Sequence, residues 1–256
     1  MNTITEELLH ATGVSVATET PVKLQTEDTG KILEKAICDT YGIQFDGTFS
    51  YSQAEVDKLT PRLKRLPEMF PMCSHTASKG AQYDFTALGD GSRHLSAKSN
   101  KKKGGKVAPQ VVGQSVPQKF CQIISNGNVE YTTPENLKKH IQENIATIMP
   151  ILWKYTFDSP ILYYVRDTDQ ISFISPASIG YECVPDWSAF QYSWTRPYDK
   201  WTNSSSLRVR IPGKNEKDET IMEFQFHTKN RQNMAVRWCI EKVLVLFAEY
   251  FNVVSL

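Results

Sequence analysis

The segment from Tyr83 to Lys98 has the sequence YDFTALGDGSRHLSAK and is the most informative stretch of the chain. Its first six residues and its last six have the aromatic, β-branched and alternating pattern of strands. The four residues between them, GDGS, favour a tight turn. We therefore predict a β-hairpin. Because residues two apart on a strand share a face, Ser96 and Lys98 are expected to point the same way.

The polar side chains of this hairpin suit the hydrolysis of a phosphodiester. Asp84 on the first strand offers an acidic oxygen of the kind that a divalent metal ion needs. Lys98 on the second strand offers a cation to the attacking water or to a non-bridging phosphate oxygen. A rigid hairpin holds such groups at a fixed separation. The other interpretation is a surface hairpin that happens to carry one aspartate and one lysine.

Helices are predicted on both sides of the hairpin. A short helix is expected over Thr5–His10, and a longer one from about Thr29 to Tyr41, where apolar residues recur on one face. Another begins at Ser52, which has capping-box spacing to Glu55. The sequence Thr133-Pro134-Glu135 starts a further helix, which is expected to continue to about Trp153.

The second half of the chain is predicted to be rich in strands. Strand patterns cover residues 160–175, 187–195, 206–212 and 219–226, and a final helix is expected over Glu241–Phe251. Asn, Gly and Thr cluster near residues 126–133 and favour a boundary there. We predict a catalytic α/β part over residues 1–128 and a β-rich part, for DNA recognition, over residues 129–256.

Charge is distributed unevenly along the chain. The segment Gly91–Val129 contains seven basic residues and no acidic one, so it carries +7, and the rest of the chain carries −6 because the whole carries +1. A local basic field of this kind can hold a phosphate backbone. The candidates for that contact are Lys101, Lys102, Lys103 and Lys106. A solvated lysine-rich loop is the other interpretation.

A second predicted hairpin carries side chains suited to reading bases. Alternation places Arg208 and Arg210 on one face of its first strand, and Gln225 and His227, with Glu223, on one face of its second. Arginine and glutamine are shaped for bidentate contacts to guanine and adenine edges. The alternative is a sheet with an exposed polar face.

The arrangement of Asp84, eleven intervening residues and then Ser96-Ala97-Lys98 resembles the PD-(D/E)xK nuclease signature, as found in small type II restriction endonucleases. The resemblance implies a central mixed sheet flanked by helices, Mg²⁺ as cofactor and double-stranded DNA as substrate. It assigns metal binding to Asp84 and to the carbonyl of Ala97, and handling of the water to Lys98. Glu34, on the preceding helix, matches an auxiliary carboxylate that joins the metal site.

Two residues depart from that signature. Tyr83 stands where its name has proline, and Ser96 stands in place of the second acid. Compensation is expected from Glu34, or from Gln110 or Gln114 downstream. The alternative is a degraded site in a DNA-binding protein without catalysis.

The sequence also argues against several other classes. No run reaches the roughly 18 apolar residues of a membrane span, and the N-terminus MNTITEELLHATG is unlike a signal peptide, so a cytoplasmic protein is expected. Five scattered cysteines without a CxxC pair predict free thiols. The lack of a phosphate-cradling glycine loop argues against an enzyme of nucleotide metabolism. The sequence leaves monomer and homodimer open. His94 shares a face with Ser96 and Lys98 and could touch the phosphate, but we expect a packed or solvated histidine. We expect Trp187, Trp194 and Trp201 to pack in the core or at strand edges.

Overall fold

The computed structural model describes residues 26–77, 81–177, 184–227 and 233–256. It has the mixed α/β class predicted from the sequence, with two sheets and several helices. The helix predicted over Thr5–His10 lies outside the described residues. Within the described ranges, no helix is both long and apolar enough to cross a bilayer.

Seven α-helices are described, and short 3-10 turns lie between some of them. Ser52 caps the second helix as predicted, accepting the backbone N–H of Glu55 on its hydroxyl. The helices are α1 (Thr26–Tyr41), α2 (Gln53–Leu59), α3 (Leu66–Met69), α4 (Pro117–Ile124), α5 (Pro134–Glu143), α6 (Ile145–Phe157) and α7 (Ile240–Leu246).

The strands form a six-stranded and a five-stranded sheet. They are β1 (Cys73–His75), β2 (Phe85–Ala87), β3 (His94–Asn100), β4 (Gln114–Ser115), β5 (Ile161–Val165), β6 (Gln170–Pro176), β7 (Gln191–Trp194), β8 (Ser204–Arg210), β9 (Glu219–His227), β10 (Asn233–Trp238) and β11 (Phe251–Ser255). The first sheet has the order β1-β2-β3-β5-β6-β11, and the second has the order β4-β10-β9-β8-β7.

The first sheet is mixed because its two central strands, β3 and β5, are parallel whereas its other pairs are antiparallel. The predicted hairpin is the antiparallel β2–β3 pair of this sheet. A parallel pair needs a long crossover, and here the crossover runs through β4 and helices α4 to α6. Each sheet therefore takes strands from both sides of the boundary predicted near residues 126–133, and that boundary does not separate the two sheets.

The first sheet is covered on both faces. On one face Leu162 and Tyr164 of β5 pack in a buried cluster with α1 and α2. On the other face Ile161, Tyr163 and Val165 join α4 to α6 and the inner face of the second sheet in a larger cluster. This alternation agrees with a central sheet flanked by helices, and it explains why β5 is buried at every position.

Several element boundaries predicted from the sequence were wrong. The helix predicted to run from Thr133 to Trp153 is interrupted at Asn144, whose side-chain amide donates to the carbonyl of His140 and ends α5. The single strand predicted over 160–175 is the hairpin β5–β6. The helix predicted to reach Phe251 ends at Leu246, and strand β11 follows. Strands β1, β4, β10 and β11 were not predicted.

The four described cysteines, Cys38, Cys73, Cys121 and Cys239, are free and buried, as predicted. Cys183 lies outside the described residues. Trp187 and Trp201 are almost fully buried, which confirms their packing role. His94 stacks on Tyr83 with ring centroids 4.0 Å apart, and its Nδ1 lies 3.2 Å from the hydroxyl of Thr86. It is a packed residue of the hairpin.

Candidate active site

The carboxylate of Asp84 is held by three donors from two segments of the chain. Its Oδ2 accepts the backbone N–H of Ala97 at 2.8 Å and the ammonium of Lys98 at 3.0 Å. Its Oδ1 accepts the side-chain amide of Gln110 at 2.8 Å. The residue is 1% exposed. A buried carboxylate with this many donors is fixed in orientation. The structure brings together four residues that were singled out from the sequence, namely Asp84, Ala97, Lys98 and Gln110.

The ammonium of Lys98 lies between two oxygen atoms, since it also donates to the carbonyl of Ala97 at 3.1 Å. These are the carboxylate of Asp84 and the carbonyl that the family resemblance assigns to a metal ion. A pair of oxygens that already binds one cation has the hard donors that Mg²⁺ prefers. Within the described ranges no group of three His, Cys, Asp or Glu residues is placed to hold a metal. The oxygens that this cluster offers to a metal ion are those of the Asp84 carboxylate and the neutral carbonyl of Ala97.

Gln110 reaches Asp84 from a tightly turned segment. The N–H of Val112 donates to the carbonyl of Gln110 at 2.6 Å, across Val111, whose φ is 58°. A β-branched residue in the left-handed region is rare, and it marks local strain in the turn that carries the amide. Gln114 is further along the same segment and lines the same cavity as Gln110. The turn was not predictable, because valine favours extended backbone.

Ser96 lies beside this cluster. It is buried, and its backbone N–H donates to the carbonyl of Pro160 at 2.9 Å, just before β5. Together with Lys98 and Gln110 it lines a small cavity on the α6 side of the sheet. The serine that replaces the second acid is therefore close to Lys98 and to one of the two glutamines expected to compensate for it.

Glu34 lies on α1 and has other partners. Its Oε2 accepts the ammonium of Lys31 at 2.7 Å and faces Nε2 of His75 at 3.1 Å. His75 is opposite Phe85 in the β1–β2 register and belongs to the α1 side of the sheet. Ser96 and Lys98 alternate to the other side, because Ala97 packs in the cluster with α1. The structure does not bring Glu34 into hydrogen-bonding contact with the Asp84 cluster.

A cavity of about 590 Å³ opens in front of Asp84. Its polar lining comes from the hairpin, from α1, from the turn after Pro109, and from β4 and α4. The lining includes Lys31, Asp84, Gln110, Gln114, Ser115 and Lys119. Because β4 is an edge strand of the second sheet, the cavity connects the Asp84 cluster with that sheet.

Lys31 and Lys119 are the lysines of this lining, and the sequence analysis singled out neither of them as a site residue. Burial lowers the pKa of Lys31, but its hydrogen bond to Glu34 and the charges of Glu34 and Asp84 more than offset this, so the pKa is raised. The Lys31 side chain is therefore a protonated ammonium at neutral pH. The spacing of Lys31 and Glu34, three residues apart on a helix, is the signal in the sequence that could have suggested this pair.

The basic loop after β3 is held by acidic side chains through its backbone. The N–H of Lys103 donates to both oxygens of Asp167 at 3.0 Å, and the N–H of Gly104 donates to Glu241 at 3.2 Å. Lys102 and Lys103 are exposed, and Lys101 is half-buried. Lys106 is different, because its ammonium pairs with Glu223 of β9 at 3.2 Å.

The second sheet presents a polar outer face, as predicted. Arg208, Arg210 and His227 are exposed on it, and Gln225 is half-buried. Arg210 pairs with Asp218 at 2.8 Å, and the amide of Gln225 donates to Glu223 at 3.0 Å. The opposite face, with Leu207, Val209, Phe224 and Phe226, is in the core.

Arg237 of β10 also belongs to the polar face, because it lies directly opposite Glu223 in the β9–β10 register. Arg237 was not predicted from the sequence as a residue of this face. The alternation of Met234, Val236 and Trp238 with Arg237 was the available signal.

No protein-family model matches the chain, and no solved structure matches it. The chain is similar to the type II restriction enzyme CviAII of Paramecium bursaria Chlorella virus 1, with 35% identity over 233 residues. The matched region covers 91% of this chain. The chain spans 64% of the length of that curated relative.

Proposed function

We propose that the chain is a type II restriction endonuclease with a PD-(D/E)xK-like core, which hydrolyses double-stranded DNA at a specific sequence with Mg²⁺. The observation that carries the proposal is the buried Asp84 carboxylate, held by Lys98 and Gln110 at the wall of a cavity. The 35% identity to a type II restriction enzyme supports the same reaction.

Each residue of the cluster has a distinct part in this proposal. The Asp84 carboxylate and the Ala97 carbonyl would hold Mg²⁺, which supplies a Lewis acid for phosphate oxygens and lowers the pKa of water. The Lys98 ammonium stabilises charge on the phosphate and orients the attacking water. Gln110 fixes Asp84 through its amide N–H, and its amide oxygen would be a neutral ligand in place of the acid missing at Ser96.

The division of labour between the two sheets is part of the proposal. The first sheet carries the hydrolytic groups, and the outer face of the second reads bases through Arg208, Arg210, Gln225 and His227. Lys101, Lys102, Lys103 and Lys106 follow the catalytic strand and would hold the backbone beside it. The placement of β4 at the cavity supports this arrangement, because it joins the two sheets at the Asp84 cluster.

Incubation of the purified chain with supercoiled plasmid tests the proposal. With Mg²⁺ we expect linear products with uniform ends, and sequencing those ends would identify the site. With Ca²⁺, which prefers looser and higher coordination, we expect binding without cleavage. Sequence-specific binding with no cleavage in Mg²⁺ would instead establish the alternative of a DNA-binding protein with a degraded site.

Gln110→Ala is expected to lower the cleavage rate much more than Ser96→Ala, because Gln110 contacts Asp84 directly. Single-turnover cleavage at saturating Mg²⁺ measures both variants. Gln118→Ala, at an exposed position of α4, is the matched control and should cut like the wild type. The reverse ranking would mean that the serine hydroxyl itself holds metal or water.

Phosphate contacts and base contacts are expected to respond differently to mutation. Neutralising Lys102 and Lys103 together should weaken binding to all duplexes alike. The salt slope, which is the slope of the logarithm of the binding constant against the logarithm of salt concentration, should fall in magnitude by about one to two units. Arg208→Ala should cost about 1–3 kcal/mol on the preferred duplex and relax the preference at one base pair.

Titrations on preferred and scrambled duplexes at several salt concentrations separate these effects. Lys139→Ala on α5 is the charge-matched control. The assignment of roles would be inverted if the lysine variant lost discrimination between the two duplexes. It would also be inverted if the arginine variant lost the same affinity for both duplexes.

A further inference from the structure

The ring of His75 has a single tautomer when it is neutral. Its Nδ1 accepts the backbone N–H of Asp46 at 2.8 Å, and a backbone N–H can only donate. The proton therefore lies on Nε2, which donates to Oε2 of Glu34 at 3.1 Å. The ring is stacked on Phe45 at 4.6 Å and packs on Phe85 at 5.0 Å, so its position is fixed.

Glu34 is consequently held in place by a rigid neighbour. Its side chain is 8% exposed, and Oε2 already accepts two donors, His75 and Lys31. The charge of the buried carboxylate is balanced by Lys31, which is the partner nearer to solvent, with its side chain 34% exposed.

Lys31 reaches the cavity that Asp84 also lines. The other ammonium at the site, that of Lys98, is engaged by Asp84 and by the carbonyl of Ala97. A phosphoryl group in the transition state carries more charge than one lysine can balance, and preorganised cations in a cavity are an effective means of stabilising it. Lys31 is preorganised by its ion pair, because Glu34 cannot move away from His75.

We propose that Lys31 binds a phosphate oxygen of the DNA at the active site, and that Glu34 and His75 are positioning residues that hold Lys31 toward the cavity. This rests on the proposed endonuclease function. It replaces the role that the family resemblance gives to Glu34, because Glu34 then acts through Lys31 and not as a metal ligand.

The test compares Lys31→Ala, Lys31→Arg, Glu34→Gln and the double variant Lys31→Ala/Glu34→Gln. Single-turnover cleavage is measured against Mg²⁺ concentration, and duplex binding in Ca²⁺ is measured against salt. Lys35→Ala is the matched control, because Lys35 is one turn further along α1 and has its own ion pair with Asp39. Thermal unfolding of every variant verifies that it is folded.

Lys31→Ala is expected to slow cleavage on the order of 100-fold. It should leave the half-saturating Mg²⁺ concentration unchanged and lower the salt slope by about 0.9 units, the share of one phosphate contact. Lys31→Arg should keep the salt slope of duplex binding at its wild-type value. The double variant should be no slower than Lys31→Ala, because Glu34 acts through the lysine.

Three results would overturn the inference: additive losses in the double variant, a shifted Mg²⁺ requirement in Glu34→Gln, or a salt slope in Lys31→Ala equal to that of Lys35→Ala. If the wild type binds DNA but does not cut it, the proposed function fails while the salt slopes still decide the role of Lys31. If the wild type does not bind DNA, both fail.

Discussion

Asp84→Asn is expected to reduce Mg²⁺-dependent cleavage by at least about 1,000-fold while the protein stays folded. The substitution keeps the shape of the side chain and one acceptor oxygen, but it removes the charge. Asp84 is the carboxylate at the centre of the cluster, and both of its oxygens accept hydrogen bonds. When Asp84 is neutralised, Lys98 loses its ionic partner. Lys98→Ala should be similarly inactive.

The measurement is plasmid cleavage over several hours at saturating Mg²⁺, with duplex binding in Ca²⁺ followed in parallel. Asp90→Asn is the matched control, because Asp90 is exposed in the turn of the same hairpin and its carboxylate accepts from the neighbouring Ser92. Wild-type cleavage by Asp84→Asn would exclude this hairpin as the active site.

Trp153→Ala is expected to destabilise the protein by about 3–5 kcal/mol. The indole lies on α6 and is 3% exposed, between the two sheets. It contacts aromatic rings on α6 itself, in the 3-10 turn before β7, on β10, just after α7 and at the start of β11, at centroid distances between 4.6 and 6.1 Å. Removing it opens a cavity where these elements meet, because a close-packed core relaxes only partly.

Chemical denaturation in urea and thermal unfolding measure this loss of unfolding free energy. At about 2–4 °C for each kcal/mol, the loss corresponds to a fall in Tm of roughly 6–20 °C. Trp194→Ala is the control, since Trp194 is half-buried near the edge of the second sheet, and it should cost less. Equal losses in the two variants would mean that the core is not centred on Trp153.

The hairpin that carries Asp84 and Lys98 was predictable because its signals are local. Alternation, a glycine-rich turn and the fixed offset between Asp84 and Lys98 lie within sixteen consecutive letters, and the structure places the two side chains in contact. The same holds for the cap at Ser52 and for the polar face of β8 and β9. In each case the residues that decide the structure are close together in sequence.

The remaining features depend on contacts between distant segments. The parallel pairing of β3 with β5 and the pairing of β10 with β4 require partners that no short window contains. The contact of Gln110 with Asp84 depends on a strained turn at Val111 that valine does not favour. The partner of Glu34 could not be predicted either, because His75 is 41 residues away on a short edge strand.

The parallel pairing of β3 with β5 has a consequence for the nascent chain. Roughly 60 residues separate the two strands. At a synthesis rate of about 5–20 residues per second, β3 therefore emerges from the ribosome several seconds before β5. During that interval its open edge is a template for pairing with other chains, and lysine is a residue that discourages such pairing. The lysines at positions 98, 101, 102 and 103 lie on that strand or directly after it. The same charges that are proposed to bind DNA in the finished protein would therefore keep the unfinished one from aggregating.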